Sequence, residues 1–243
     1  MKIDKQEMRE VAGAAAPRVD MYGPIHKALR AFMTDTLLAL GRMDTADELE
    51  FAQCTQRVVE LLDFCRSHLA HENEFVHTAM EARSPGSAGR IAHEHEEHVA
   101  HIDRLARAVE HLRGVPAAAR DAVTAQLYRD LAGFIAENFL HMNFEESRHN
   151  AVLWAHFSDA ELGAIHDALV ASIPPQEMMY ALRWMVPFMN PAERAGMLQG
   201  MREHAPAPAF QAALDTVRPH LTTREWEKLA RALGIAPAPG LVG

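Results

Sequence analysis

The chain has 243 residues, 49% hydrophobic and 23% charged, enough apolar material to bury the core of one large domain or two small ones. Its 24 Lys and Arg against 33 Asp and Glu give a formal net charge of -9 with no basic cluster, which argues against a nucleic-acid surface. No apolar run approaches the roughly 18 residues that a membrane span needs, Met1-Lys2-Ile3-Asp4-Lys5 leads into no secretory apolar region, and two cysteines, Cys54 and Cys65, cannot build a disulfide framework, so a reducing cytoplasm is expected.

Ala, Leu, Glu, Arg and Met dominate, and β-branched runs with period-two alternation are missing, so the chain reads as all-α. Breakers at Gly23-Pro24, Gly41, Ser84-Pro85-Gly86, Gly114-Val115-Pro116, Pro174-Pro175 and Asn190-Pro191 divide it. Four long helices are predicted over 23–41, 46–82, 89–113 and 117–156, and their short loops make an up-down-up-down four-helix bundle. Thr45-x-x-Glu48, Ser158-x-x-Glu161 and Thr222-x-x-Glu225 match the reciprocal hydroxyl–carboxylate cap, and Asn190 before Pro191 is a further helix start. The expected organisation is a bundle domain over 1–157 and a small helical C-terminal region over 158–243. That region contains Trp184 and Trp226, and its core is expected to be built from Met178, Met179, Met185, Met189, Met197 and Met201.

The composition holds 15 histidines against 3 tyrosines and 3 tryptophans, and their placement is informative. The inward stripe of the second helix reads Cys54, Val58, Leu61, Cys65, His68, Glu72, Phe75. The fourth reads Leu127, Leu131, Phe134, Asn138, His141, Glu145. The third carries His95 and His98 among Ile91, Ile102, Leu105, Val109 and Leu112, and the first carries His26 among Tyr22, Leu29, Met33, Leu37 and Leu40. Such stripes face a bundle interior.

An ionised carboxylate in that interior must be paired or bound to a cation, and the stripes offer no lysine or arginine. In His68-x-x-x-Glu72 and His141-x-x-x-Glu145 the two side chains stand one turn apart on one face. With His26 and His95 they make four imidazoles and two carboxylates. That is too many donors for one tetrahedral zinc, and it suits two iron or manganese ions bridged by carboxylates.

The segments Ile25-His26-Lys27, His68-Leu69-Ala70-His71-Glu72, Glu94-His95-Glu96-Glu97 and His141-Met142-Asn143-Phe144-Glu145-Glu146, one per helix and in order, resemble the hemerythrin-like (HHE cation-binding) domains over about residues 20 to 157. The resemblance implies a non-haem di-iron site with Glu72 and Glu145 as bridges and His26, His68, His95 and His141 as terminal ligands, iron being the expected metal and manganese or a mixed pair the alternative. It departs from the oxygen carriers, which place two histidines four residues apart on the third helix where this chain has His95 and Val99. It is closer to bacterial proteins of iron–sulfur repair and nitric oxide stress, but without their N-terminal cysteine-bearing domain.

Around the six residues, His98 reads either as a fifth histidine ligand or as a hydrogen-bonded core group. Tyr22 reads as a ligand or as packing at the bundle end, Cys65 as a small core residue, and His71, His77, His93 and His101 as a solvated face. The expected function is binding or sensing of oxygen, nitric oxide or peroxide at a His4Glu2 site. The alternatives are a di-iron enzyme consuming peroxide or nitric oxide, or an iron donor in cluster repair. No flavin, haem or nucleotide motif is present, so electrons would come from a protein redox partner; neither nucleic acid nor a membrane is expected as a partner.

Overall fold

The computed structural model describes residues 18–236, so the first five residues and the termini of both expected domains lie outside the described part. Among the described residues every regular element is a helix. None of the helices among the described residues is long and apolar enough to cross a membrane.

The four predicted long helices are present. The first is α1, Gly23–Arg42. The second is one continuous rod made of α2, Glu48–His71, a π-helical turn Glu72–His77 and α3, Thr78–Arg83. The third is α4, Gly89–Gly114. The fourth is α5, Arg120–Phe144, a second π-helical turn Glu145–His149 and α6, Asn150–His156. Then follow α7 Asp159–Ser172, α8 Pro175–Met185, α9 Pro191–His204, α10 Ala207–Val217 and α11 Thr223–Leu233.

Two details of the helix ends depart from the sequence reading. The cap of α2 is Asp47, which accepts from the amides of Leu49 and Glu50, while the Thr45 hydroxyl donates to Asp121. Gly41 does not break α1, which runs on to Arg42; a Cβ there would stand 2.8 Å from the Tyr128 ring, so its role is close approach. The caps at Ser158, Asn190 and Thr222 form, each closed by the glutamate three residues on.

Two compact units result, one running through Gly23 and over Phe32–Ala171, the other made of Pro24–Ala31 with the chain from Ser172 on. In the first, Val58, Leu61, Leu62, Ile91, Ile102, Leu105, Val109, Leu127, Leu131 and Phe134 are buried at the expected helical spacing. Toward one end a second apolar cluster gathers Tyr22, Val76, Met80, Ala88, Leu153, Phe157 and Leu162.

In the second unit the core consists of Leu182, Val186, Leu198, Leu214, Val217, Trp226, Leu229 and Leu233. Met178, Met179, Met197 and Met201 pack against that core from its partly exposed margin, while Met189, also among the six expected, is itself buried. Arg194 is buried beside it and donates to the carbonyls of Val186, Pro187 and Met189 in the turn between α8 and α9.

Candidate metal centre

Along α2 the inward stripe changes character from Val58, Leu61 and Cys65 to His68 and Glu72, and along α5 from Leu131 and Phe134 to His141 and Glu145. In both rods the π turn begins at the glutamate itself. The α-helical spacing just before it sets histidine and glutamate on one face: His68 Nε2 lies 3.1 Å from Glu72 Oε1, and His141 Nε2 lies 3.3 Å from Glu145 Oε1.

Between them α4 inserts His95, whose Nε2 stands 3.5 Å from Glu72 Oε2, 3.5 Å from Glu145 Oε1 and 3.1 Å from His141 Nε2. Glu72, His95, His141 and Glu145 thus offer ligand atoms that all lie within 4.8 Å of one another. Each of the four is at most 3% exposed. Two imidazole nitrogens each about 2.1 Å from an ion, at right angles, would be about 3.0 Å apart, so the His95–His141 separation suits two neighbouring donors on one cation. Of the six residues expected from the sequence, four make this cluster and a fifth, His68, adjoins it through Glu72. The sixth, His26, is fully buried on α1, within the stretch that groups with the second unit.

The far sides of both imidazoles are held. His95 donates from Nδ1 to Asn73 Oδ1 at 2.8 Å, and His141 from Nδ1 to Glu94 Oε2 at 3.0 Å. Arg90 in turn donates to Glu94 at 2.9 Å. These bonds fix the ring tautomer that leaves the Nε2 lone pair facing the carboxylates, and they raise its basicity. Burial works against a charged His141, but Glu145 and then Glu94 outweigh it and raise it to about 10. Burial likewise opposes a charged Glu94, and the hydrogen bonds from His141 and Arg90 overcome it and hold the carboxyl at about 2. The buried carboxylates call for positive charge at this point, whether a proton or a metal cation supplies it. Nitrogen and carboxylate oxygen donors, with no thiolate among them, suit a divalent first-row metal.

Two buried histidines beside these donors are not found by the sequence reading. His77, expected on a solvated face, is 5% exposed, and His149, not singled out at all, is 1% exposed. With Glu145 they form a further group of donors whose ligand atoms lie within 4.8 Å of one another. Tyr22 packs at the bundle end, and its hydroxyl meets His149 Nδ1 at 3.1 Å. Burial, with Glu145 and Glu72 adding to it, raises the Tyr22 phenol well above its ordinary value. Burial lowers His77 and pushes His149 down to about 4, which keeps both rings neutral.

His149 follows Glu145 by four residues, so an extension of the His141, Glu145 stripe would have found it. His77 is five residues past Glu72, off the α-helical period, and only the π turn brings it inward. That turn also shifts the buried face from Phe75, which is half-buried, to Val76. His98 is buried with its ring 4.7 Å from that of His141, edge to face, and burial pushes it down to about 3; it belongs to none of the donor groups. Cys65 is a buried core thiol, pushed up to about 12.

Compared with known families, residues 19–150 match the model of the hemerythrin HHE cation binding domain. No curated protein and no solved structure matches the chain.

Proposed function

Because the chain belongs to the hemerythrin HHE cation-binding family, we propose that it is a non-haem di-iron protein that binds or senses oxygen, nitric oxide or peroxide. The buried group of Glu72, His95, His141 and Glu145 carries this reading, since its donor atoms lie within 4.8 Å of one another and their backs are held by Asn73 and Glu94. His26, His68, His95 and His141 would hold the irons through ring nitrogen, and Glu72 and Glu145 through carboxylate oxygen. Iron bound there would supply an open coordination position and one-electron redox chemistry; manganese or a mixed pair would use the same donors.

The chain's own part is to orient and to exclude. Asn73 and Glu94 hold the imidazoles at Nδ1, and Leu61, Leu131 and Phe134, all fully buried, form the apolar wall below the donors. Four histidines to two carboxylates favour reversible binding or sensing over oxygen activation. Both cysteines are free and buried, in keeping with a cytoplasmic location.

The test is metal analysis and the optical spectrum of anaerobically purified protein before and after exposure to oxygen. Iron lost in a His68→Ala, His141→Ala variant, with a near-ultraviolet oxo-bridge band that forms on oxidation and reverts when oxygen is removed, is the expected result. A band that reverts only with a reductant would favour the redox enzyme. Iron-free protein, or a single zinc indifferent to those substitutions, would end the di-iron reading.

A further inference from the structure

We propose that His77 and His149 are metal ligands too, and that with Glu145 they hold an ion beyond the pair assigned to the six-residue set. The inference rests on the metal-centre reading above.

Three features of geometry carry it. Neither ring nitrogen of His77, nor Nε2 of His149, has a hydrogen-bond partner, although both residues are buried, at 5% and 1% exposure. Buried polar side-chain atoms are ordinarily satisfied, so His77 with neither nitrogen bonded and His149 with a bare Nε2, both beside a carboxylate, point to a missing acceptor for one lone pair on each ring. Next, the Tyr22 oxygen can accept from His149 Nδ1–H, as Asn73 accepts from His95 and Glu94 from His141, and in that tautomer the Nε2 lone pair of His149 is left for a cation.

The ring planes then decide which ion His77 could serve. A metal lies in the plane of the imidazole it binds. His77 is stacked on His95 with 16° between the planes and 4.9 Å between centroids, so the two rings cannot aim their in-plane lone pairs at one ion. His77 and His149 stand edge to face at 78° and 5.3 Å, an arrangement in which two planes can intersect on a shared ion. Glu145 supplies the third donor within 4.8 Å. His149 also borders a cavity of about 390 Å³, lined in addition by Phe144, Val152 and His156, which gives this position an approach of its own.

The π turns explain how the pair was placed. Each adds one residue to the turn after a bridging glutamate, and such turns occur often at functional sites. The first turns His77 inward; the second ends on His149.

The experiment loads the full chain anaerobically with ferrous iron, removes the excess, and counts iron per chain in the wild type and in a His77→Gln, His149→Gln variant. The proposal expects three equivalents in the wild type and two in the variant, with the oxo-bridge band retained. Two equivalents in the wild type, or an equal count in both proteins, would overturn it while leaving the di-iron reading in place. No iron in either would remove both. Should the double variant fail to fold by circular dichroism, Tyr22→Phe takes its place. It keeps the rings in position and is expected to weaken one of three ions by about 10- to 100-fold; uniform affinity would overturn the proposal.

Discussion

Single side chains behind the donors decide how well this centre works, and Glu94 is the clearest case. It accepts from His141 Nδ1 at 3.0 Å and is itself held by Arg90 at 2.9 Å. Glu94→Gln keeps the size and one acceptor oxygen but removes the charge that makes His141 a strong donor. Metal affinity, measured by competition with a chromophoric chelator, should fall by about 10- to 100-fold, while Glu97→Gln, exposed on the next turn, should leave it unchanged. Equal effects would mean that Glu94 acts only as surface charge. The candidate donors themselves were legible in the sequence because each breaks an apolar stripe that an α-helix makes periodic. Glu94 and Asn73 were not, because they stand beside the stripes and gain their roles only when α2 and α4 pack.

At the level of the helix, period was both the guide and the source of error. Extrapolating 3.6 residues per turn past Glu72 points Phe75 inward, whereas Val76, His77 and Met80 are the buried residues beyond it. The extra residue of the π turn rotates everything after it by about 100°. Inserting one alanine after the exposed Glu74 would rotate the rest of the rod by about a further 100° and swing Met80, fully buried here, away from the core. A loss of about 2–5 kcal/mol, the range for emptying a methionine-sized site, is expected in denaturant unfolding. An unchanged midpoint would show that the turn does not fix the register. Caps were read more easily but not always at the right residue. Asp47 closes α2, so Asp47→Ala should cost about 1 kcal/mol. Thr45→Ala, which touches only the exposed Asp121 side chain, should fall within about 0.5 kcal/mol of the wild type in the same assay.

Across the molecule, turn signals divided the bundle helices well, since proline, glycine and caps act locally. How segments group into units depends on non-local packing, and nothing in the periodicity of α1 shows that Pro24–Ala31 clusters with the chain from Ser172 on while the rest of that helix does not. In that second unit Lys27 pairs with Glu193 at 2.5 Å, a contact across 166 residues of sequence.

The metal centre has the same non-local character, and stability should report it. Glu72, His95, His141 and Glu145 come from the α2 and α5 rods and from α4, so only the folded chain offers them together. A cation that binds the folded form alone adds RT ln(1 + [L]/Kd), about 2.7 kcal/mol at a hundredfold excess over Kd. For a chain of this size that corresponds to a melting temperature higher by roughly 5–10 °C. Chelation should remove the gain and ferrous iron should restore it under anaerobic conditions, followed by the helical circular dichroism signal. In the His68→Ala, His141→Ala variant the melting temperature should be nearly indifferent to either treatment. A wild type equally indifferent would mean that the buried carboxylates are balanced by protonated histidines alone, with no metal contribution to the fold.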